Sequence, residues 1–234
     1  MSQFPWIQQF SLFLFDFDGL LVDTEVLHYQ AYQRLCSRFG ETLPWTFDEY
    51  RNIAPISSEK LQQSLREDVP GMFVKEPSWE RLYAIKKANY DELLREGQLK
   101  FMPGVVELLE ELNRIGKPRA IVTHSARPFI EFIADQLPLL MTIPIWVTRE
   151  DYNNSKPSPD PYLKALEIFE MTADKAVGFE DSPRGFEALQ KAKVPAVMIN
   201  RDPHSSVDKQ QIAVFDSFFS IPAEGPFALK GSLS

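Results

Sequence analysis

A disulfide framework, a membrane span and a basic tract are all missing from this 234-residue chain. Its one cysteine, Cys36, has no partner for an internal bridge, which fits a reducing compartment. Lys and Arg number 25 against 33 Asp and Glu, a net charge of −8, and no basic block stands out. That balance argues against a general nucleic-acid or anionic-membrane binder. Residues 1–11 hold no Lys or Arg, and the apolar run that follows is cut by Asp16 and Asp18, so no secretory signal is expected. The most apolar stretch, Leu137 to Val147, carries Pro138 and Pro144 and falls short of the about 18 residues that a membrane helix needs. There is no internal repeat and no low-complexity tract. A soluble, cytoplasmic protein is the expectation, with neither nucleic acid nor membrane as partner. Nothing in the sequence speaks to its oligomeric state.

What is present is ordinary globular material, 44% hydrophobic and 25% charged, enough for one large domain or two small ones. Ser11 to Phe17 reads as a buried parallel strand, apolar on both faces and stopped by Gly19. The texture then turns helical. Leu27, Ala31, Leu35 and Phe39 recur at four-residue steps, closed by Gly40. Ser57 or Ser58 is placed to cap a second helix carrying Leu61 and Leu65. Ser78 caps a third, with Trp79, Leu82, Tyr83, Tyr90, Leu93 and Leu94 on one side and Gly97 past its end. No strand interrupts this block.

After Gly97, strand and helix alternate. Val105, Leu108, Leu109, Leu112 and Ile115 form a helix stripe closed by Gly116. Arg119 to Thr123 is β-like; Phe129, Ile130, Ile133 and Leu137 form another stripe; Ile145 to Thr148 is β-like again. A helix capped by Asp160 with Pro161 first carries Tyr162, Ala165, Leu166 and Phe169. Strands follow at Ala176 to Glu180, Ala196 to Ile199 and, more weakly, Ala213 to Phe215, with a Ser182-Pro183 helix start between the first two. The pattern predicts a Rossmann-like, three-layer α/β/α core with a parallel sheet, residues 1–25 and 98–234, and a small all-helical insertion, residues 26–97.

In open α/β sheets ligands bind beyond the carboxyl ends of the strands. Asp16, Asp18 and Gly19 follow the first strand; Thr123, His124 and Ser125 the second; Lys156 lies in a proline-rich loop after the third; Glu180 and Asp181 follow the fourth. Buried carboxylates held close together need neutralising, and oxygen-only donors suit Mg²⁺. Asp16, Asp181 and Glu180, with the backbone carbonyl near Asp18, are the candidate ligands. Lys156 and Thr123 then suit phosphate oxygens, one as a point charge and the other as a directed donor.

These stretches resemble the motifs of the haloacid dehalogenase-like superfamily. Asp16-Phe17-Asp18-Gly19-Leu20-Leu21-Val22-Asp23-Thr24-Glu25 is similar to its first motif and Thr123 to its second. Lys156-Pro157-Ser158-Pro159-Asp160 is similar to the third and Gly178-Phe179-Glu180-Asp181-Ser182 to the fourth. Separations of 107, 33 and 25 residues between Asp16, Thr123, Lys156 and Asp181 follow the family's order. The helical insertion resembles the cap of the subgroup that includes β-phosphoglucomutase and many sugar-phosphate phosphatases.

The resemblance implies a nucleophile, Asp16, and a general acid and base, Asp18. It implies phosphoryl contacts from Lys156, Thr123, Ser125 and the backbone N–H groups near Gly19 and His124. Mg²⁺ would be held by Asp16, Asp18, Glu180 and Asp181, with Glu180 either a direct ligand or an acceptor one step removed. His28 either lines the cap side of the site or packs within the cap. Asp18 argues against dehalogenation, which has no alkoxide to protonate. The cap loop Asn52-Ile53-Ala54-Pro55-Ile56-Ser57 lacks an arginine for a second phosphate. The implied activity is therefore a Mg²⁺-dependent phosphatase of small phosphorylated metabolites. A phosphosugar mutase is the alternative, and a non-catalytic binding protein on the same fold is the third reading.

Overall fold

The computed structural model describes residues 3–54, 57–97, 99–200 and 213–228. Pro55 and Ile56 of the arginine-free loop lie outside the described residues. The chain divides into two compact units, Met1–Val22 with Lys100–Ser234, and Asp23–Leu99.

The first unit opens with a 3-10 turn, Pro5–Gln9, and strand β1, Leu12–Phe15, shorter than the expected Ser11–Phe17. The second unit supplies helices α1 (Glu25–Arg38), α2 (Phe47–Ile53), α3 (Ser58–Asp68), α4 (Pro70–Lys75) and α5 (Trp79–Arg95). The chain then returns as α6 (Val105–Arg114), β2 (Arg119–Val122), α7 (Arg127–Gln136) and β3 (Ile145–Val147). It ends with α8 (Asp160–Phe169), β4 (Ala176–Glu180), α9 (Pro183–Lys191), β5 (Ala196–Ile199) and β6 (Ala213–Phe215). The six strands form one parallel sheet in the order β3-β2-β1-β4-β5-β6. This is the expected α/β core, a parallel sheet flanked by helices.

β1 is central because both of its faces are apolar. Leu12 and Leu14 join a cluster with Val122, Tyr162, Ala165, Ala188 and Leu189. Phe13 and Phe15 point the other way, as strand alternation requires. There Phe15 stacks on Phe179 at 5.3 Å, and Trp6, from the 3-10 turn, lies 6.2 Å from Phe13 and 5.8 Å from Phe179. Each such ring removed from water contributes roughly 2 kcal/mol. With β2 and β4 as its neighbours, the carboxyl ends of β1, β2 and β4 sit side by side.

The helical unit has its own core of Tyr32, Leu35, Cys36, Trp45, Leu61, Leu65, Met72 and Leu82. Ser57 caps α3 through Lys60 N at 3.1 Å, and Ser78 caps α5 through Arg81 N at 3.3 Å. Several expectations change. α2 and α4 were not anticipated, and the segment expected as a loop from Asn52 begins on α2. Tyr83, assigned to the apolar side of α5, is 50% exposed. Asp160 is the first residue of α8 rather than its cap; its carboxylate accepts from Ser158 Oγ at 2.7 Å and Asn154 Nδ2 at 2.9 Å.

Candidate active site

Asp16 stands one residue beyond β1, buried, its backbone N–H donating to Phe179 O at 3.0 Å across to β4. That bond aligns the end of β1 with the end of β4, where Glu180 is fully buried and Asp181 half-buried. One carboxylate oxygen from each of Asp16, Glu180 and Asp181 lies within 4.8 Å of the other two. Lys156 reaches them from the loop after β3. Its Nζ donates to Asp16 Oδ1, to Val122 O at 2.8 Å and to Glu180 Oε1 at 2.6 Å. An ammonium has three protons, and all three have acceptors here.

The electrostatics follow from crowding. Burial raises the Asp16 carboxyl above the ordinary range, and the adjacent Lys156 ammonium only partly offsets it. Burial, with Asp16 adding to it, pushes Glu180 up to about 7. Burial acts against the Lys156 charge, but Asp16 and Glu180 outweigh it and hold the ammonium protonated above its usual range. One lysine thus stands beside a cluster of three carboxylates and pairs with two of them, an excess of negative charge. An all-oxygen donor set in that state fits a hard divalent cation.

Asp18 is held apart from this trio, its Oδ2 accepting from Ser125 Oγ at 2.6 Å. The carboxylate expected among the metal ligands is therefore engaged with a hydroxyl at the end of β2. Ser125 N also donates to Thr123 Oγ1 at 3.0 Å, which leaves the proton of the buried Thr123 hydroxyl to be directed elsewhere. Gly19 adopts φ +78°, a conformation that favours glycine. Its N–H, expected to hold phosphate oxygens, is instead engaged within the loop, donating to Val22 O at 2.9 Å. His124 is exposed at the end of β2, with Nδ1 at 3.0 Å from Tyr152 Oη. That hydroxyl donates its single proton to Thr123 O at 2.9 Å, so His124 Nδ1–H must be the donor of the pair. Partial burial, with Arg149, Arg184 and Lys156 nearby, lowers the His124 pKa.

Asp16, Asp18, Gly19, Thr123, His124, Ser125, Lys156, Glu180 and Asp181 all belong to the first unit. His28 belongs to the second, on α1, with its ring stacked on Tyr90 at 4.0 Å and Nδ1 2.7 Å from Lys86 Nζ of α5.

Sequence reading misses two polar groups of this site and one buried cation within the helical unit. Tyr162 read as one more apolar position in a helix stripe, yet its hydroxyl donates to Glu180. Tyr152 carried no signal at all. Lys86 is 6% exposed, near the ring faces of Tyr32 and Tyr90, and has no salt bridge among the described residues. A lysine three positions after Tyr83 on an otherwise amphipathic helix looks like any solvated one.

A family model for haloacid dehalogenase-like hydrolases matches residues 13–199. A protein described as a phosphorylated carbohydrates phosphatase of Thermotoga maritima is 32% identical over 185 residues, 79% of this chain and 82% of that one. A probable pseudouridine-5'-phosphatase of Drosophila melanogaster is 30% identical over 204 residues, 84% of each. Among solved structures, a putative β-phosphoglucomutase of Thermotoga maritima superposes with a TM-score of 0.69 at 27% identity, covering 95% of this chain and all of that one.

Proposed function

Because this chain belongs to the haloacid dehalogenase-like hydrolases, we propose that it is a Mg²⁺-dependent phosphatase of small phosphorylated metabolites, sugar phosphates foremost, working through an aspartyl-phosphate on Asp16. The observation that carries the reading is the convergence of Asp16, Glu180, Asp181 and Lys156 at the ends of β1 and β4 with Asp18 two residues downstream. The phosphatase named at 32% identity supports the same class of substrate.

Asp16 attacks phosphorus, and the bond from phosphorus to the ester oxygen breaks. Asp18 gives its proton to that oxygen, so a neutral alcohol leaves. A water then attacks the same phosphorus and its proton passes to Asp18, while the bond to Asp16 breaks and phosphate is released. Ser125 holds Asp18 throughout by donating to its carboxylate. Lys156 offsets charge on the transferring group, and Thr123 supplies a directed hydroxyl. Asp16, Asp181 and Glu180 would hold Mg²⁺, which would supply positive charge against the carboxylates and the phosphoryl oxygens. A mutase differs only in the acceptor, a second sugar hydroxyl in place of water; the fold shared with a putative β-phosphoglucomutase keeps that reading in view.

The test is a panel of phosphorylated metabolites offered to purified protein in Mg²⁺, with and without a sugar bisphosphate. Phosphate release without the bisphosphate is expected for sugar phosphates. Asp16→Asn, nearly isosteric but a poor nucleophile, is expected to lower it at least about a thousandfold. Turnover that requires the bisphosphate would identify a mutase, and release by the Asp16→Asn protein would overturn the mechanism.

A further inference from the structure

Glu180 is held by several contacts, and not all of them come from groups given a part in the reaction. Its carboxylate is fully buried. Oε1 accepts from Tyr162 Oη and from Lys156 Nζ, and Ser182 Oγ lies 3.4 Å from Oε2. The remaining side is closed by the backbone of Gly185 on α9. A Cβ at that position would fall inside the carboxylate, so glycine is what lets the helix approach. Tyr162 is itself 0% exposed, its ring 5.1 Å from Lys156 Nζ. A buried phenol needs a hydrogen-bond partner, and the carboxylate beside it provides one.

The same carboxylate oxygen thus serves two donors, one of which is the ammonium that Asp16 shares. Glu180 and Asp16 share that ammonium. Charge that Glu180 Oε1 gives to the phenol is charge it does not exert on Lys156. We propose that Tyr162 is a positioning residue: by donating to Glu180, its hydroxyl sets how far the Lys156 ammonium stays extended towards Asp16 and the phosphoryl group. Gly185 supplies the space in which Glu180 sits between the two donors. Removing the hydroxyl leaves Glu180 with one strong donor instead of two, and the ammonium is drawn back towards it. The phosphoryl group loses part of its positive partner while the nucleophile and the cation ligands stay in place. This inference rests on the phosphatase reading.

Tyr162→Phe deletes one oxygen and keeps the ring that fills the core. It is compared with the unaltered full-length protein in saturating Mg²⁺, using p-nitrophenyl phosphate as substrate and inorganic phosphate as inhibitor. The expected result is a rise of about tenfold in both KM and the inhibition constant for phosphate, with kcat falling less than KM rises. The Mg²⁺ concentration for half-activation should stay within about twofold. A purely structural role for the hydroxyl would lower the melting temperature and the active fraction, hence kcat, and leave KM and phosphate inhibition where they were. That pattern, or constants unchanged within twofold, overturns the proposal. Failure of the unaltered protein to turn over any phosphate ester in Mg²⁺ would instead count against the phosphatase reading, so the two failures are told apart.

Discussion

Among the described residues, buried lysines come in two kinds, and the difference lies in what faces the ammonium. Lys156 has two carboxylates and a carbonyl. Lys86 has an imidazole and two aromatic rings, and burial lowers its pKa to about 8. His28 opposite is held well below its usual value, first by its own burial and then by the Lys86 charge. A base whose pKa is lower folded than unfolded has fewer protons bound in the native state between the two values. Stability should therefore rise with pH from about 8 to about 10.5, by at most about 3 kcal/mol from Lys86 alone. Lys86→Met keeps the length of the chain and removes the charge. Urea melts at pH 7 and pH 10 are expected to show a more stable variant at pH 7 and a shallower pH dependence than the unaltered protein; an equal slope in both would remove Lys86 from the account. None of this was legible from composition. Asp16, Thr123 and Lys156 announced themselves by standing at strand ends in order, whereas Lys86 and Tyr162 sit inside helix patterns where nothing marks their tips as buried.

At the scale of elements, the strands were the most readable part. β4, β5 and β6 fall where apolar runs between helix signals place them; β4, buried at every position, leaves an unbroken apolar signature. Short helices were not. α2 and α4 are seven and six residues long, too short to show a period, although Thr46 and Glu49 form a reciprocal capping box at the start of α2 and Pro70 opens α4. The contact between α9 and the sheet was also hidden. Gly178 on β4 read as part of a motif, yet its role here is steric: a Cβ would collide with the Leu189 side chain of α9. Gly178→Ala should force Leu189 off its seat at a cost of about 1–3 kcal/mol. Because Glu180 and Gly185 lie on the same pair of elements, activity should fall with it. Denaturant melts and turnover measured on the same preparation check this; an unchanged melt would mean that the strand–helix spacing has slack that the close approach of Gly178 and Leu189 does not suggest.

For the molecule as a whole, the expected division, a parallel sheet interrupted by helices, rests on a hydrophobic period that changes along the chain. The two units divide at residues 22/23 and 99/100, against expected boundaries of 25/26 and 97/98. The order of strand ends announces which charges come together; how deeply they are buried is visible only in the fold. The net charge of −8 is spread over the whole length, but folding gathers Asp16, Glu180 and Asp181 around one lysine. The unfolded chain keeps these carboxylates apart in water and has no such site. A divalent cation should therefore bind the native state in preference and stabilise it by RT ln(1 + [Mg²⁺]/Kd), about 2.7 kcal/mol at a hundredfold excess over Kd. Thermal melts in increasing Mg²⁺ are expected to move upward and to return on adding a chelator. Asp181→Asn, which removes one carboxylate charge without touching Lys156, should blunt the shift. Monovalent salt at equal ionic strength should not reproduce it, since screening acts on exposed charges far more than on buried ones. A melt indifferent to Mg²⁺ would mean that the carboxylates are already balanced by the groups around them, and the cation would have to be dropped from the mechanism.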